Sequence, residues 1–493
     1  MHTCPILIGG EWRELSGVPT APVYNPSLGK LIAETPLGGA DLVDEAAKAA
    51  HAAYPGWWQT PAVDRIQVLF RYKALLEANA EDLAVLISTE HGKTLTEARG
   101  DIRRGIQMVE YACGMPALLM GETLENVARG IDCEAVRQPL GVCAGITPFN
   151  FPAMVPLWMF PVSLACGNTF ILKPSEKVPL TAIRLIQLLQ DAGLPPGVMN
   201  LIHGGRDAVD AILTHPLIKA ISFVGSTPVA RHVFNVGTSH GKRVQSAGGA
   251  KNFILIMPDA PVTETVRALT EAAFGCAGER CMAGSTAITV GDAASKVIPE
   301  LVAVANAMRV GPTFSNPDMQ MGPVITAEHR DRVVRLVNEG EKQGAKVVAD
   351  GRGLRVDGAP DGFFVGPTIL DHVSSENVVM TEEIFGPVLS VMRMDDLDAA
   401  IEMANRSAYG NGAAIFTSSG KAAREFKHRI RAGMVGINVG VPAAMAFFPF
   451  SGWNESFFGD LHMQGREAVA FFTQQKVTTT RWFAPNEGDI WHR

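Results

Sequence analysis

Cys281 carries the strongest chemical signal in the chain. It lies in the run Phe274-Gly275-Cys276-Ala277-Gly278-Glu279-Arg280-Cys281-Met282-Ala283-Gly284-Ser285, among small residues and beside a guanidinium. A thiol attacks carbon only as thiolate, and a neighbouring positive charge favours that form. Small neighbours let a substrate reach the sulfur, and Gly278 and Gly284 let backbone pass close to a bound molecule. Cys276, in an apolar run without an adjacent charge, reads instead as a buried structural cysteine. Taken alone, Cys281 is open to that same reading.

Three further groups follow predicted strands of one sheet. Pro148-Phe149-Asn150-Phe151-Pro152 holds an amide rigidly between aromatics and prolines. Asn150 is either a buried turn residue or a donor to a developing oxyanion, a role worth about 3 kcal/mol. Lys173 and Glu176, in Lys173-Pro174-Ser175-Glu176, are either an exposed loop pair or a ribose clamp. A carboxylate there accepts from ribose hydroxyls and repels a 2′-phosphate. Gly225-Ser226 ends a strand and opens a helix, either as a plain N-cap or as a seat for phosphate on free N–H groups. No G-x-G-x-x-G or Walker A sequence is present.

The elements that must position these groups alternate. Residues 1–38 read as short strands and turns, followed by helices over 41–53, 62–80, 82–91 and 94–113. The last of these carries Arg103 and Arg104, whose ordinary place is a solvated helix face. Residues 122–126 and 131–137 read as strands of a projecting meander. From Val142 the chain alternates strand and helix: strands at 142–147, 169–172, 198–202 and 220–224, helices at 149–165, 180–192, 206–213 and from Gly225 to about 239. That alternation predicts a doubly wound parallel sheet with ligand loops at the strand C-terminal ends. A second such run starts at Phe253, with its helix over 262–273 leading into the Cys281 loop. The tail has strand-like pieces at 470–472 and 476–478 that can pair with the meander.

Composition bounds the function. A chain of 493 residues with 47% hydrophobic and 19% charged residues is globular and exceeds one core. A net charge of −7 gives no reason to expect nucleic acid. Phe149–Phe170, the longest apolar stretch, is broken by Pro152, Pro156, Pro161 and Gly167, which argues against a membrane span. Seven scattered cysteines form no disulfide framework, and no targeting pattern precedes Trp12, so a cytoplasmic location is expected. The twelve histidines form no zinc-type set with them, so no metal is expected.

The three strand-end motifs, with Phe223-Val224 before Gly225, Gly278-Glu279-Arg280-Cys281, and Glu382-Glu383-Ile384-Phe385-Gly386-Pro387-Val388, occur in this order over nearly the whole chain. Together they resemble the aldehyde dehydrogenase superfamily. The resemblance implies an α/β fold with two doubly wound parallel-sheet domains and a small β oligomerisation extension. It implies an NAD-binding domain over 1–121 and 141–249, a catalytic domain over 250–467, and the extension over 122–140 and 468–493, in a homodimer or homotetramer. Cys281 would be the nucleophile, and Asn150 with the Cys281 N–H the oxyanion hole. NAD would rest on Phe149, Lys173, Glu176, Gly225, Ser226, Glu383 and Phe385.

One departure bears on the reaction. The superfamily's usual Glu-Leu-Gly-Gly-Lys stretch, whose Glu activates hydrolytic water, is here Gln245-Ser246-Ala247-Gly248-Gly249-Ala250-Lys251-Asn252. Neither Ser246 nor Ala247 is a base, so a thioester on Cys281 needs a better nucleophile, and a thiol such as coenzyme A serves. This loss, with Val155-Pro156-Leu157-Trp158-Met159-Phe160-Pro161, Gly249-Ala250-Lys251-Asn252 and Phe448-Pro449-Phe450-Ser451-Gly452-Trp453, resembles the CoA-acylating methylmalonate- and malonate-semialdehyde branch. That branch implies decarboxylation and transfer of the acyl group to CoA, as in valine catabolism or in pyrimidine, inositol or β-alanine breakdown. Its substrate carboxylate calls for an arginine: Arg104, favoured, or Arg280. Phe253 departs from the branch, which usually has His there. A hydrolysing dehydrogenase using Glu279 as base is the nearest alternative, and a non-enzymatic member of the fold a more distant one.

Overall fold

The computed structural model describes residues 3–483. Among them, an eight-stranded sheet runs in the order Glu11–Arg13, Ile6–Ile8, Met199–Leu201, Thr169–Lys173, Val142–Ile146, Ile218–Val224, Arg243–Ala247, Phe457–Phe458. The strands from 142 to 247 pair in parallel, as the alternation predicts. Their near-continuous apolar runs suit a sheet covered on both faces. A seven-stranded sheet orders Lys346–Ala349, Thr368–Asp371, Val388–Met394, Thr286–Val290, Phe253–Ile256, Gly412–Phe416, Met434–Ile437. Phe457–Phe458 crosses back from this second region to the edge of the first sheet, against Ser246 and Ala247. No helix among the described residues is long and apolar enough to cross a membrane.

A third, three-stranded sheet orders Thr473–Arg481, Ile131–Pro139, Glu122–Ala128. The tail pairs with the meander, but not through the piece expected at 470–472. Ala470 and Phe471 belong to the helix Gly465–Phe471, because Ala468, Val469, Phe471 and Phe472 are buried at a helical rather than an alternating period. The part of the expected extension beyond 483 lies outside the described residues.

Four helices precede the parallel strands of the first sheet. Ala40–Gln59, Ala62–Ala78, Ala80–His91 and Leu95–Cys113 form where periodicity predicts them, the first running six residues further. Gly92 ends the third in the left-handed conformation (φ 93°), and Thr94 caps the fourth. The helix expected over 149–165 starts only at Met154, and Phe149–Ala153 forms a loop. Leu95–Cys113 packs closely on Met154–Cys166: a Cβ at Gly105 would meet Leu157 at 2.5 Å.

Candidate active site

The helix Val262–Phe274 runs into a short turn, Gly275–Gly278, where Cys276 (φ 50°), Ala277 (φ 52°) and Gly278 (φ 74°) are all left-handed. Two consecutive non-glycine residues in that region store strain that the surroundings must hold. Gly278 is pressed against Gly386, where a Cβ would stand 2.0 Å from the carbonyl oxygen. The Cys281 carbonyl then accepts from two side-chain amides, Asn252 at 2.8 Å and Asn411 at 2.9 Å. Asn252 also donates to the Ala283 carbonyl, so the nucleophile loop is fixed on both sides of the sulfur. Cys276 is buried, as expected.

Cys281 is partly exposed in a narrow cavity that it shares with Asn252, Arg280, Glu383 and Phe385. Its thiol is pushed up to about 12 by burial, with the Glu383 charge adding to the rise. The N–H groups of Cys281 and Met282 and the Arg280 guanidinium oppose this without overcoming it. The expected activation by Arg280 is therefore weak in the free protein. The reason is geometric: Arg280 is committed to Glu97 at 3.2 Å and donates to the Glu271 carbonyl.

Asn150 is buried, and its amide nitrogen donates to the Glu279 carbonyl at 3.0 Å, two residues before Cys281. The two expected partners are thus joined on one loop junction. Glu279 points elsewhere with its side chain. Its carboxyl accepts from the Ile325 N–H at 3.1 Å and lies between His329 (3.6 Å) and His91 (3.8 Å). Burial raises the Glu279 carboxyl and lowers both histidines, disfavouring the charged form of all three. It does not line the Cys281 cavity.

Of the positions expected for a dinucleotide, Phe149, Lys173, Glu176, Gly225 and Ser226 lie at the C-terminal ends of strands of the first sheet, and Glu383 and Phe385 precede Val388–Met394 of the second. Lys173 and Glu176 pair at 3.5 Å, with Lys173 buried and Glu176 partly open. Gly225 is a cradle, since a Cβ there would stand 2.5 Å from the Phe223 ring. Ser226 precedes the helix Thr227–Ser239, and its hydroxyl makes no cap bond, so the helix N-terminus keeps N–H groups for a ligand. Phe149 and Phe385 meet edge to face at 5.8 Å, and Phe385 is left-handed (φ 57°). Glu383 accepts from the Ala250 N–H at 2.9 Å, and a Cβ at Gly249 would meet its carboxylate at 2.4 Å. Among the described residues no group of His, Cys, Asp or Glu could hold a metal.

The two candidate arginines differ. Arg104 is half-buried on the helix Leu95–Cys113, with its guanidinium against Met445 and the Ala444 carbonyl. Among the described residues it has no carboxylate partner, whereas Arg280 has Glu97. Ser246 is fully buried and donates to the Ala230 carbonyl, and Ala247 ends its strand. Phe253 fills the core of the second sheet. Sequence reasoning missed Asn252 and Asn411 as clamps and Glu97 as the partner of Arg280. Only the Thr94-to-Glu97 spacing of a capping box could have drawn attention to Glu97.

The model of the aldehyde dehydrogenase family matches residues 12–478. A malonate-semialdehyde dehydrogenase of Geobacillus kaustophilus is 49% identical over 98% of this chain and 99% of its own length. A methylmalonate-semialdehyde dehydrogenase structure from Oceanimonas doudoroffii superposes with a TM-score of 0.97 at 46% identity, covering 98% of this chain and 99% of its own. A Sinorhizobium meliloti structure complexed with NAD gives a TM-score of 0.97 at 43% identity over 99% of both chains.

Proposed function

Because the chain belongs to the aldehyde dehydrogenase family, we propose that it oxidises malonate or methylmalonate semialdehyde with NAD⁺ and passes the acyl group to CoA. The observation that carries this reading is a mounted thiol on a chain 49% identical to a malonate-semialdehyde dehydrogenase, with Ser246 and Ala247 where the hydrolytic carboxylate is usual. Cys281 adds to the aldehyde carbon, and its thiol proton leaves to solvent. The second Asn150 N–H and the Cys281 N–H receive the oxyanion. Arg104 holds the substrate carboxylate. NAD⁺, held by Phe149, Lys173, Glu176, Gly225, Ser226, Glu383 and Phe385, would supply the acceptor for the hydride that leaves when the adduct collapses. The product is an acyl thioester on Cys281. Loss of CO₂ and gain of a proton at the adjacent carbon leave an acetyl or propionyl group. The CoA thiolate displaces Cys281, giving acetyl-CoA or propionyl-CoA and the free cysteine.

Gly225, the uncapped Ser226 and the Lys173–Glu176 pair fit the dinucleotide's phosphates and ribose, with Phe149, Glu383 and Phe385 at its nicotinamide end. A cytoplasmic homodimer or homotetramer is part of the same reading, supported by seven free cysteines and the exposed three-stranded sheet.

One observation favours a second reading. Glu383 shares the cavity with Cys281, and a carboxylate there could orient a hydrolytic water. NADH formation from each semialdehyde, measured with and without CoA, separates the two. CoA-dependent turnover, abolished in Cys281→Ala, supports acylation. Brisk turnover without CoA would assign hydrolysis instead, and turnover by Cys281→Ala would remove the nucleophile.

A further inference from the structure

Behind the Asn150 loop lies an ion pair that the reaction as described does not use. Lys93 and Asp101 have fully buried side chains and meet at 2.9 Å. Lys93 also donates to the Asn150 backbone carbonyl at 2.7 Å and stands 4.0 Å over the Phe151 ring. Asp101 accepts from the Met154 N–H at 2.7 Å with its other oxygen. Met154 opens a helix whose N-cap, Ala153, has no side chain to offer. Asp101 thus supplies that acceptor from a different helix.

Stability alone does not account for such a pair. Moving two charges out of water costs much of what their attraction returns, and apolar residues of similar volume often serve as well. What apolar residues cannot do is fix a carbonyl. With its carbonyl held by an ammonium, the Asn150–Phe151 peptide cannot rotate, and three residues later the chain is pinned again. The Asn150 side chain springs from the fixed end of this span. Its amide must meet an oxygen that exists only transiently, so its aim has to be set beforehand. The opposite side of the junction hangs from the same helix, since Glu97 accepts from the Cys276 N–H at 2.6 Å and pairs with Arg280. Glu97 and Asp101 are four residues apart, and Arg104 follows three later, so one helix face reaches all three.

We propose that Lys93 and Asp101 are positioning residues, a buried ion pair that aims the Asn150 amide at the oxyanion. The proposal rests on Asn150 being that donor. The test is a double-mutant cycle on the presteady-state burst of NADH, with NAD⁺ affinity and melting temperature measured alongside. Lys93→Met is expected to slow the burst roughly tenfold or more, as misplaced reacting groups do, with NAD⁺ affinity unchanged. Asn150→Ala is expected to slow it about a hundredfold or more. Combined, they should cost no more than Asn150→Ala alone. If Lys93→Met does not fold, Asp101→Asn, which keeps an oxygen for the Met154 N–H, enters the same cycle. Equal losses in both backgrounds would overturn the positioning role alone. An Asn150→Ala protein with an undiminished burst would overturn the oxyanion donor and this inference with it.

Discussion

Cys281 is held against its own ionisation by its immediate surroundings. Burial and the Glu383 charge raise its thiol to about 12, so the free protein carries a thiol throughout the neutral range. Removing that charge lowers the thiol's value and moves the thiolate population to lower pH. Glu383→Gln should therefore be alkylated by iodoacetamide faster than the parent at any given mildly alkaline pH, yet form NADH more slowly. An unchanged alkylation profile would show that the Glu383 charge does not reach the sulfur. The arginines make the complementary case. Among the described residues Arg104 has a guanidinium without a carboxylate, whereas Arg280 is spent on Glu97. A charge-assisted bond to a substrate carboxylate is worth about 1.5–3 kcal/mol. Arg104→Ala should thus raise KM for a semialdehyde roughly 10–100-fold and leave propanal unaffected. Equal losses on both substrates would make Arg104 structural. The residue types were legible in the sequence because each sits in a short motif. The weakness of Arg280 as an activator was not, because its partner lies 183 residues away.

The helix Leu95–Cys113 joins the two halves of the site, and its first turn decides how firmly. Thr94 accepts from the Glu97 N–H and Glu97 reaches back to Thr94, a complete capping box. Glu97 also holds Cys276 N and Arg280 with its other oxygen. Thr94→Ala removes the cap and the hydroxyl's bond to the Glu97 carboxylate but keeps the Thr94 N–H on that carboxylate, so it should cost about 1 kcal/mol and lower the melting temperature with kcat nearly intact. Glu97→Ala keeps the Thr94 side chain on the residue-97 N–H, but it removes the acceptor of the Thr94 N–H and frees the strained Cys276–Ala277 turn, so kcat should fall. Matched kcat values in the two variants would mean that Glu97 does no more than cap. This start was legible, because capping chemistry is local. The start of the next helix at Met154 was not. Phe149–Ala153 has a helix-compatible apolar pattern, but Lys93 and Asp101 hold it as a loop from outside the segment.

At the scale of the molecule, the alternation of strands and helices made two parallel sheets legible, since each crossover helix leaves its own periodic signature. The order of strands was not legible. Nothing local in Phe457–Phe458 says that it returns to the first sheet beside Ser246. The third sheet poses the remaining question. All seven residues of Glu122–Ala128 are exposed, and Leu124 (64%) and Val477 (68%) are uncovered. Leu124 pairs with Cys133, and Val477 pairs with Ala135 two residues on, so these four share one face. A three-stranded sheet that leaves such apolar side chains open, beside Glu122 and Arg137 on the same face, is marginal by itself and invites another chain. The occupant proposed is a second copy of this chain. Val477→Glu places a charge in that face and leaves the backbone pairing of Thr473–Arg481 with Ile131–Pro139 in place. Light scattering should then show a smaller particle than the parent, at an unchanged far-ultraviolet spectrum. A variant of parental mass would mean that this face takes no part in assembly.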